Sequence, residues 1–177
     1  MRKSILRAQA RAVRGRGAVF HASAAAHNAK GILFLAPSGG GKSTAAEILA
    51  GSGFDILGDD STIISRGTDD IWRVIPCASW TWQSGRRPEA VELESLILLE
   101  KGEPGVIARL NPLYAAYRIL RERSLMAYRD ITPEERPAFR NAVSEICGRF
   151  PVCILRYSDP GSLTALIETI GDYELPE

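Results

Sequence analysis

The stretch Ala36-Pro-Ser-Gly-Gly-Gly-Lys-Ser-Thr44 narrows what this chain can fold into more than any other. It follows Ile32-Leu-Phe-Leu-Ala36, a continuous apolar run of strand length suited to a buried central position. It precedes Lys42 to Ala50, where Ala45, Ala46, Leu49 and Ala50 recur at helical spacing until Gly51 and Gly53 stop the helix. This is the strand–GxxxxGK[ST]–helix pattern, with Ala36 in place of the first glycine. Gly39, Gly40 and Gly41 let backbone N–H groups turn inward without Cβ clashes, and the helix beginning near Lys42 adds its positive dipole end at the same place. Ser38, Gly39, Gly40, Gly41, Lys42, Ser43 and Thr44 are therefore the candidate positions for cradling the phosphates of a nucleoside triphosphate. Lys42 would reach the β- and γ-phosphates, and the Ser43 hydroxyl would ligate Mg²⁺. A turn that merely joins strand to helix would use three glycines at a high entropic cost.

The 177 residues suit one α/β domain, and 45% hydrophobic with 24% charged residues is ordinary for a chain that buries a core. The net charge of +1 argues neither for nor against a nucleic-acid partner, and none is expected; no apolar stretch approaches membrane-spanning length, so no membrane is expected either. Residues 1–16, with Arg2, Lys3, Arg7, Arg11, Arg14 and Arg16, read as a basic arm ahead of a single domain over 17–177. Cys77, Cys147 and Cys153 are odd in number and lack CxxC spacing, which fits buried reduced thiols of a cytoplasmic protein.

Gly17 to His27 reads as a strand of small side chains, and Asn28-Ala-Lys-Gly31 as a tight turn with Gly31 supplying a positive φ. Further strands are expected at Phe54–Leu57, Ser61–Ser65, Trp72–Ile75, Leu93–Glu100, Gly105–Leu110 and Pro151–Tyr157. Helical periodicity marks Pro112–Met126 and Pro133–Cys147, and a last helix over Gly161–Ile170 is capped by Ser158 or Asp159. A mixed central sheet with flanking helices is the economical α/β assembly.

The strand after the glycine-rich helix ends in Gly58-Asp59-Asp60, and carboxyl ends of strands in an open α/β sheet face the ligand crevice. Phosphoryl transfer asks for a carboxylate on Mg²⁺ and another to accept a hydroxyl proton, so adjacent carboxylates could divide those tasks. An acidic turn facing solvent is the alternative reading.

His21-Ala-Ser23, the strand Gly31–Ala36, Pro-Ser-Gly-Gly-Gly-Lys-Ser and Gly53-Phe-Asp-Ile-Leu-Gly-Asp-Asp60 together resemble the catalytic domain of HPr kinase/phosphorylase. They are closer still to the smaller bacterial HPr-kinase-like serine kinases. The resemblance is sharp over Val19 to Ser65 and looser over Gly85 to Glu100. It implies a P-loop fold of the phosphoenolpyruvate-carboxykinase-like kind, with ATP and Mg²⁺ as cofactors. It also implies that Asp59 is the general base, that Asp60 supports it or the metal, and that His21 is a partner or proton relay. Arg86 and Arg87 correspond to a family Arg-Arg pair and would stabilise charge on the transferring group. The implied activity is transfer of the γ-phosphoryl of ATP to a hydroxyl, with Ser of a peptide or protein as acceptor and a homo-oligomer as one possible assembly. A nucleotide-binding interaction module without turnover, or a kinase of free serine or a sugar, are the other readings.

Trp80 and Trp82 alternate at strand spacing and share a face, which reads as core. Arg118 and Arg121 share a helix face that either contacts an acidic partner or is solvated.

Overall fold

The computed structural model describes Val13 and residues 16–77, 88–104, 107–121 and 132–165. The basic arm, except for Val13 and Arg16, lies outside the described residues, as do Trp80, Trp82, Arg86 and Arg87. So do the end of the expected helix beyond Arg121 and the end of the last helix beyond residue 165.

Among the described residues, nine strands form one mixed sheet: β1 (Gly17–Phe20), β2 (Ala22–His27), β3 (Lys30–Leu35), β4 (Asp55–Gly58), β5 (Thr62–Arg66), β6 (Trp72–Ile75), β7 (Val91–Lys101), β8 (Ile107–Arg109) and β9 (Val152–Tyr157). The spatial order is β1-β5-β6-β7-β3-β2-β4, with β9 also against β7 and β8 beyond it. β3 runs parallel to β7, and β7 parallel to β9, while β2 is antiparallel to both β3 and β4.

The central strands alternate between two apolar layers, as period-2 side chains must. Ile32 and Phe34 of β3, with Ile97 and Leu99 of β7, pack under Ala45, Ala46 and Leu49 of α1 (Lys42–Gly51). Leu33, Leu35, Leu96 and Leu98 face the other way, toward Ala115, Ala116 and Ile119 of α2 (Pro112–Arg121) and Val143 and Ile146 of α3 (Arg136–Arg149). Both faces being covered explains why β3 reads as an unbroken apolar run. Each fully buried leucine or isoleucine here contributes about 1.5–3 kcal/mol of transfer free energy. All three cysteines are free thiols within these layers, and burial pushes Cys147 up to about 12.

Two local expectations change. The expected single strand Gly17–His27 breaks at His21, because its first part pairs with β5 and its second with β3 and β4. The positive φ of the β2–β3 hairpin belongs to Asn28 (49°) and Ala29 (61°), the two central residues of a two-residue turn, and not to Gly31. Gly31 is required for space instead. A Cβ there would stand 2.7 Å from Val74 Cγ2 and 2.9 Å from Val91 Cγ2. Gly31→Ala is expected to destabilise the chain by about 1–3 kcal/mol, since a methyl forced into a filled core displaces its neighbours. Ala29→Gly, which relieves a left-handed alanine, should shift the midpoint the opposite way. Thermal denaturation checks both signs.

Candidate active site

Three chain segments meet at one end of the strands because β2 lies antiparallel between β3 and β4. The register Ala22↔Leu35 and Ala24↔Gly58 places the residue before β2, the loop after β3 and the turn after β4 side by side. Those segments are His21, the glycine-rich loop and Asp59-Asp60.

The loop is shaped by its glycines for two different reasons. Gly39 (φ 76°) and Gly41 (φ 84°) occupy left-handed backbone. Gly40 donates its N–H to the Pro37 carbonyl at 2.9 Å, and a Cβ on it would lie 2.7 Å from Ala36 Cβ. Gly41 is the N-cap of α1 and offers no side chain to the first-turn N–H groups, which therefore point at the space in front of the helix. No acidic residue lies in that first turn. Such a helix start suits an anion.

Lys42 is only 6% exposed, and its ammonium donates to the carbonyls of Ala36 (2.7 Å) and Pro37 (3.1 Å). Burial pulls its pKa below the ordinary lysine value, opposed by the negative charge of Asp60. The charge of Asp60, in the turn after β4, thus acts on the ammonium of the loop lysine. Ser38 and Ser43 are exposed, and Thr44 is half-buried in the wall of the adjoining cleft.

Asp59 is 9% exposed and its carbonyl accepts a hydrogen bond from Ser23 Oγ at 3.1 Å. The side chain of Asp60 is 46% exposed. His21 Nδ1–H donates to the Asp60 carbonyl at 2.9 Å and lies 3.4 Å from Asp60 Oδ1. Thr62 Oγ1 donates to the Ala22 carbonyl at 3.0 Å, tying the far side of the acidic turn back to β2. The turn is tight enough that a Cβ on Gly58 would stand 2.7 Å from the Ser61 carbonyl oxygen.

Beside the loop lies a cleft of about 290 Å³ whose walls include Ser43, Thr44, Lys101, Tyr157, Asp159 and Leu163. Tyr157 ends β9 directly beneath the loop, where its hydroxyl would meet a Cβ on Gly41 at 2.5 Å. Asp159 caps the helical segment 160–165, its Oδ1 accepting from the Ser162 N–H at 3.0 Å. Sequence reasoning named neither Lys101 nor Tyr157 as site residues. Their only signal is the ladder β7–β9 itself, which pairs Lys101 with Tyr157 across 56 positions.

The geometry brings together His21, the loop residues 38–44, Asp59 and Asp60. The expected contribution of Arg86 and Arg87 lies outside the described residues.

Comparison with known proteins gives two findings and one blank. The Hpr(Ser) kinase/phosphatase from Coxiella burnetii, one of 31 solved chains that match, has a TM-score of 0.50 to this chain at 14% identity. That match covers 87% of this chain and 93% of the other. At such low identity the likeness is one of fold, so the kinase resemblance holds as architecture: a central mixed sheet with flanking helices. No curated protein matches the chain. The family model that does match is not an HPr kinase family; it is the one described as SynChlorMet cassette protein ScmC, and it spans residues 1–171. The chain belongs to the SynChlorMet cassette protein ScmC family.

Proposed function

We propose that this chain is an ATP- and Mg²⁺-dependent kinase of the phosphoenolpyruvate-carboxykinase-like P-loop kind, transferring the γ-phosphoryl to a hydroxyl, with Ser of a peptide or protein as acceptor. The observation that carries the reading is the convergence of a glycine-rich loop, its buried lysine and a carboxylate pair at one end of neighbouring strands β2, β3 and β4.

The loop amides and the start of α1 would hold the phosphates, and Lys42 would exchange its loop carbonyls for phosphate oxygens. Ser43 and Asp60 supply two accessible oxygen donors. That set fits Mg²⁺, which takes one or two protein oxygens together with phosphate oxygens and keeps its waters. The metal would neutralise charge on the β- and γ-phosphates. Asp59 takes the proton of the acceptor hydroxyl as the new O–P bond forms and the bond to the β-phosphate oxygen breaks, releasing ADP. His21 bonds the Asp60 backbone carbonyl and Ser23 that of Asp59, so the backbone from which both carboxylates extend is held.

The test uses ATP labelled in the γ-phosphate, Mg²⁺ and a pool of serine-containing peptides. Label on a peptide serine, abolished by a chelator, is the expected result. ATP binding without transfer to any acceptor would replace the kinase with a binding module. No ATP binding would overturn the reading altogether.

A further inference from the structure

The last two residues of β7 point to opposite sides of the sheet. Lys101 faces the cleft beside the loop, while Glu100 faces α2. Glu100 meets two guanidiniums: Arg118 of α2 on Oε1 and Arg156 of β9 on Oε2. Burial would raise the Glu100 pKa, but these hydrogen bonds and charges outweigh it and hold the carboxyl below its usual value. One carboxylate against two cations leaves the cluster positive.

α2 extends that charge into an exposed stripe. Ala115, Ala116 and Ile119 are buried, which turns Leu113, Tyr114, Tyr117 and Arg121 outward. Leu113 (81% exposed), Tyr114 (48%) and Tyr117 (51%) are the exposed large hydrophobics among the described residues, and all three fall on this one helix. Tyr114 and Tyr117 stack with ring centroids 6.4 Å apart. Arg118 lies over the first ring and Arg121 over the second, with Arg121 also donating to the Tyr117 hydroxyl at 2.9 Å. No carboxylate occurs anywhere from residue 105 to 121. Preassembled tyrosine–arginine pairs with a surplus of positive charge are the residue types that anchor protein interfaces.

We propose that this stripe, on the opposite face of the sheet from the helix that follows the phosphate loop, docks an acidic segment of a peptide or protein partner, the acceptor of the transfer. Calling the partner an acceptor rests on the kinase reading, but the docking itself does not. Charge selects the occupant. The chain's own basic arm over residues 1–16 carries no carboxylate and is repelled. A nucleic acid is disfavoured because Glu100 sits within the cluster and the whole chain is near neutral.

The test is binding of a fluorescent random Glu–Tyr copolymer to the full chain without nucleotide, with a Lys–Tyr copolymer as control. Selective, salt-sensitive binding of the acidic copolymer is expected. Arg121→Glu and Tyr117→Ala should each weaken it by about tenfold or more, as anchor residues do. ATP binding should stay unchanged in both variants, which shows that they are folded. Because no transfer is read, a failed kinase assay and a failed docking assay are separate results. Equal binding of both copolymers, or insensitivity to Arg121→Glu, would overturn the proposal. So would a wild-type dimer dissociated by Tyr117→Ala, or an RNA oligonucleotide that outcompetes the copolymer. Tighter binding by a synthetic peptide of residues 166–177, itself acidic, would hand the face to the chain's own C-terminus and likewise refute a partner.

Discussion

Lys42→Ala should weaken ATP binding by about 10–100-fold, the equivalent of one charge-assisted hydrogen-bonding group. It should slow phosphoryl transfer by a further factor of about 10²–10³, since in the proposed mechanism the same cation would also meet charge that develops during transfer. The variant is readable because the fold does not lean on this lysine. Among the described residues its ammonium donates to the carbonyls of Ala36 and Pro37, within the loop, from a site whose burial lowers its pKa. Below that lowered pKa both folded and unfolded chains carry the charge, and only the folded one bears its desolvation. The penalty fades as pH rises through the folded pKa toward the unfolded one. Alanine removes two hydrogen bonds and this penalty together, so the thermal midpoint at neutral pH should move little. Calorimetric titration with ATP–Mg²⁺ and single-turnover transfer measure the two effects. Unchanged affinity in the variant would remove the loop from the nucleotide site.

The second large effect is at Asp59. Asp59→Asn keeps the shape of a side chain that is 9% exposed, and it keeps the backbone carbonyl that Ser23 holds. It removes the negative charge and with it the ability to take a proton. Transfer should fall by about 10²–10⁴, the range for a positioned general base, while ATP affinity is preserved. The outcome that counts against the assignment is equally definite. Lost Mg²⁺-dependent ATP binding would make Asp59 a metal-site residue and shift the base role elsewhere.

The loop was legible because its information is local. Glycines that permit left-handed backbone, a lysine and a hydroxyl lie within nine residues, between an apolar run and a helical one. The position of Asp59 and Asp60 at a strand end was legible for the same reason. What the sequence hid depends on partners far along the chain. The break at His21 follows from Phe20 pairing with Thr62 while Ala22 pairs with Leu35. Gly31 looked like a turn glycine beside Asn28, and only the neighbouring Val74 and Val91 show that it serves close packing. Tyr157 read as an ordinary strand residue, and nothing around position 157 announces that it abuts Gly41. The hydrogen bonds that tie this region to β2, from Ser23 Oγ to the Asp59 carbonyl and from Thr62 Oγ1 to the Ala22 carbonyl, were likewise invisible until β2 was placed beside the acidic turn.

The seating of β2 between β3 and β4 constrains how this protein can evolve. A substitution in β2 changes one side chain. A deletion there reverses which face every preceding residue of the strand presents and draws His21 one step of about 3.3 Å along its neighbours. The hairpin leaves little slack to absorb the change, since Asn28 and Ala29 already close it with two residues. Length drift among relatives should therefore be purged from residues 21–36 and tolerated at the 67–70 turn between β5 and β6, whose residues 68–70 are exposed and which lies at the opposite end of β5 from the acidic pair.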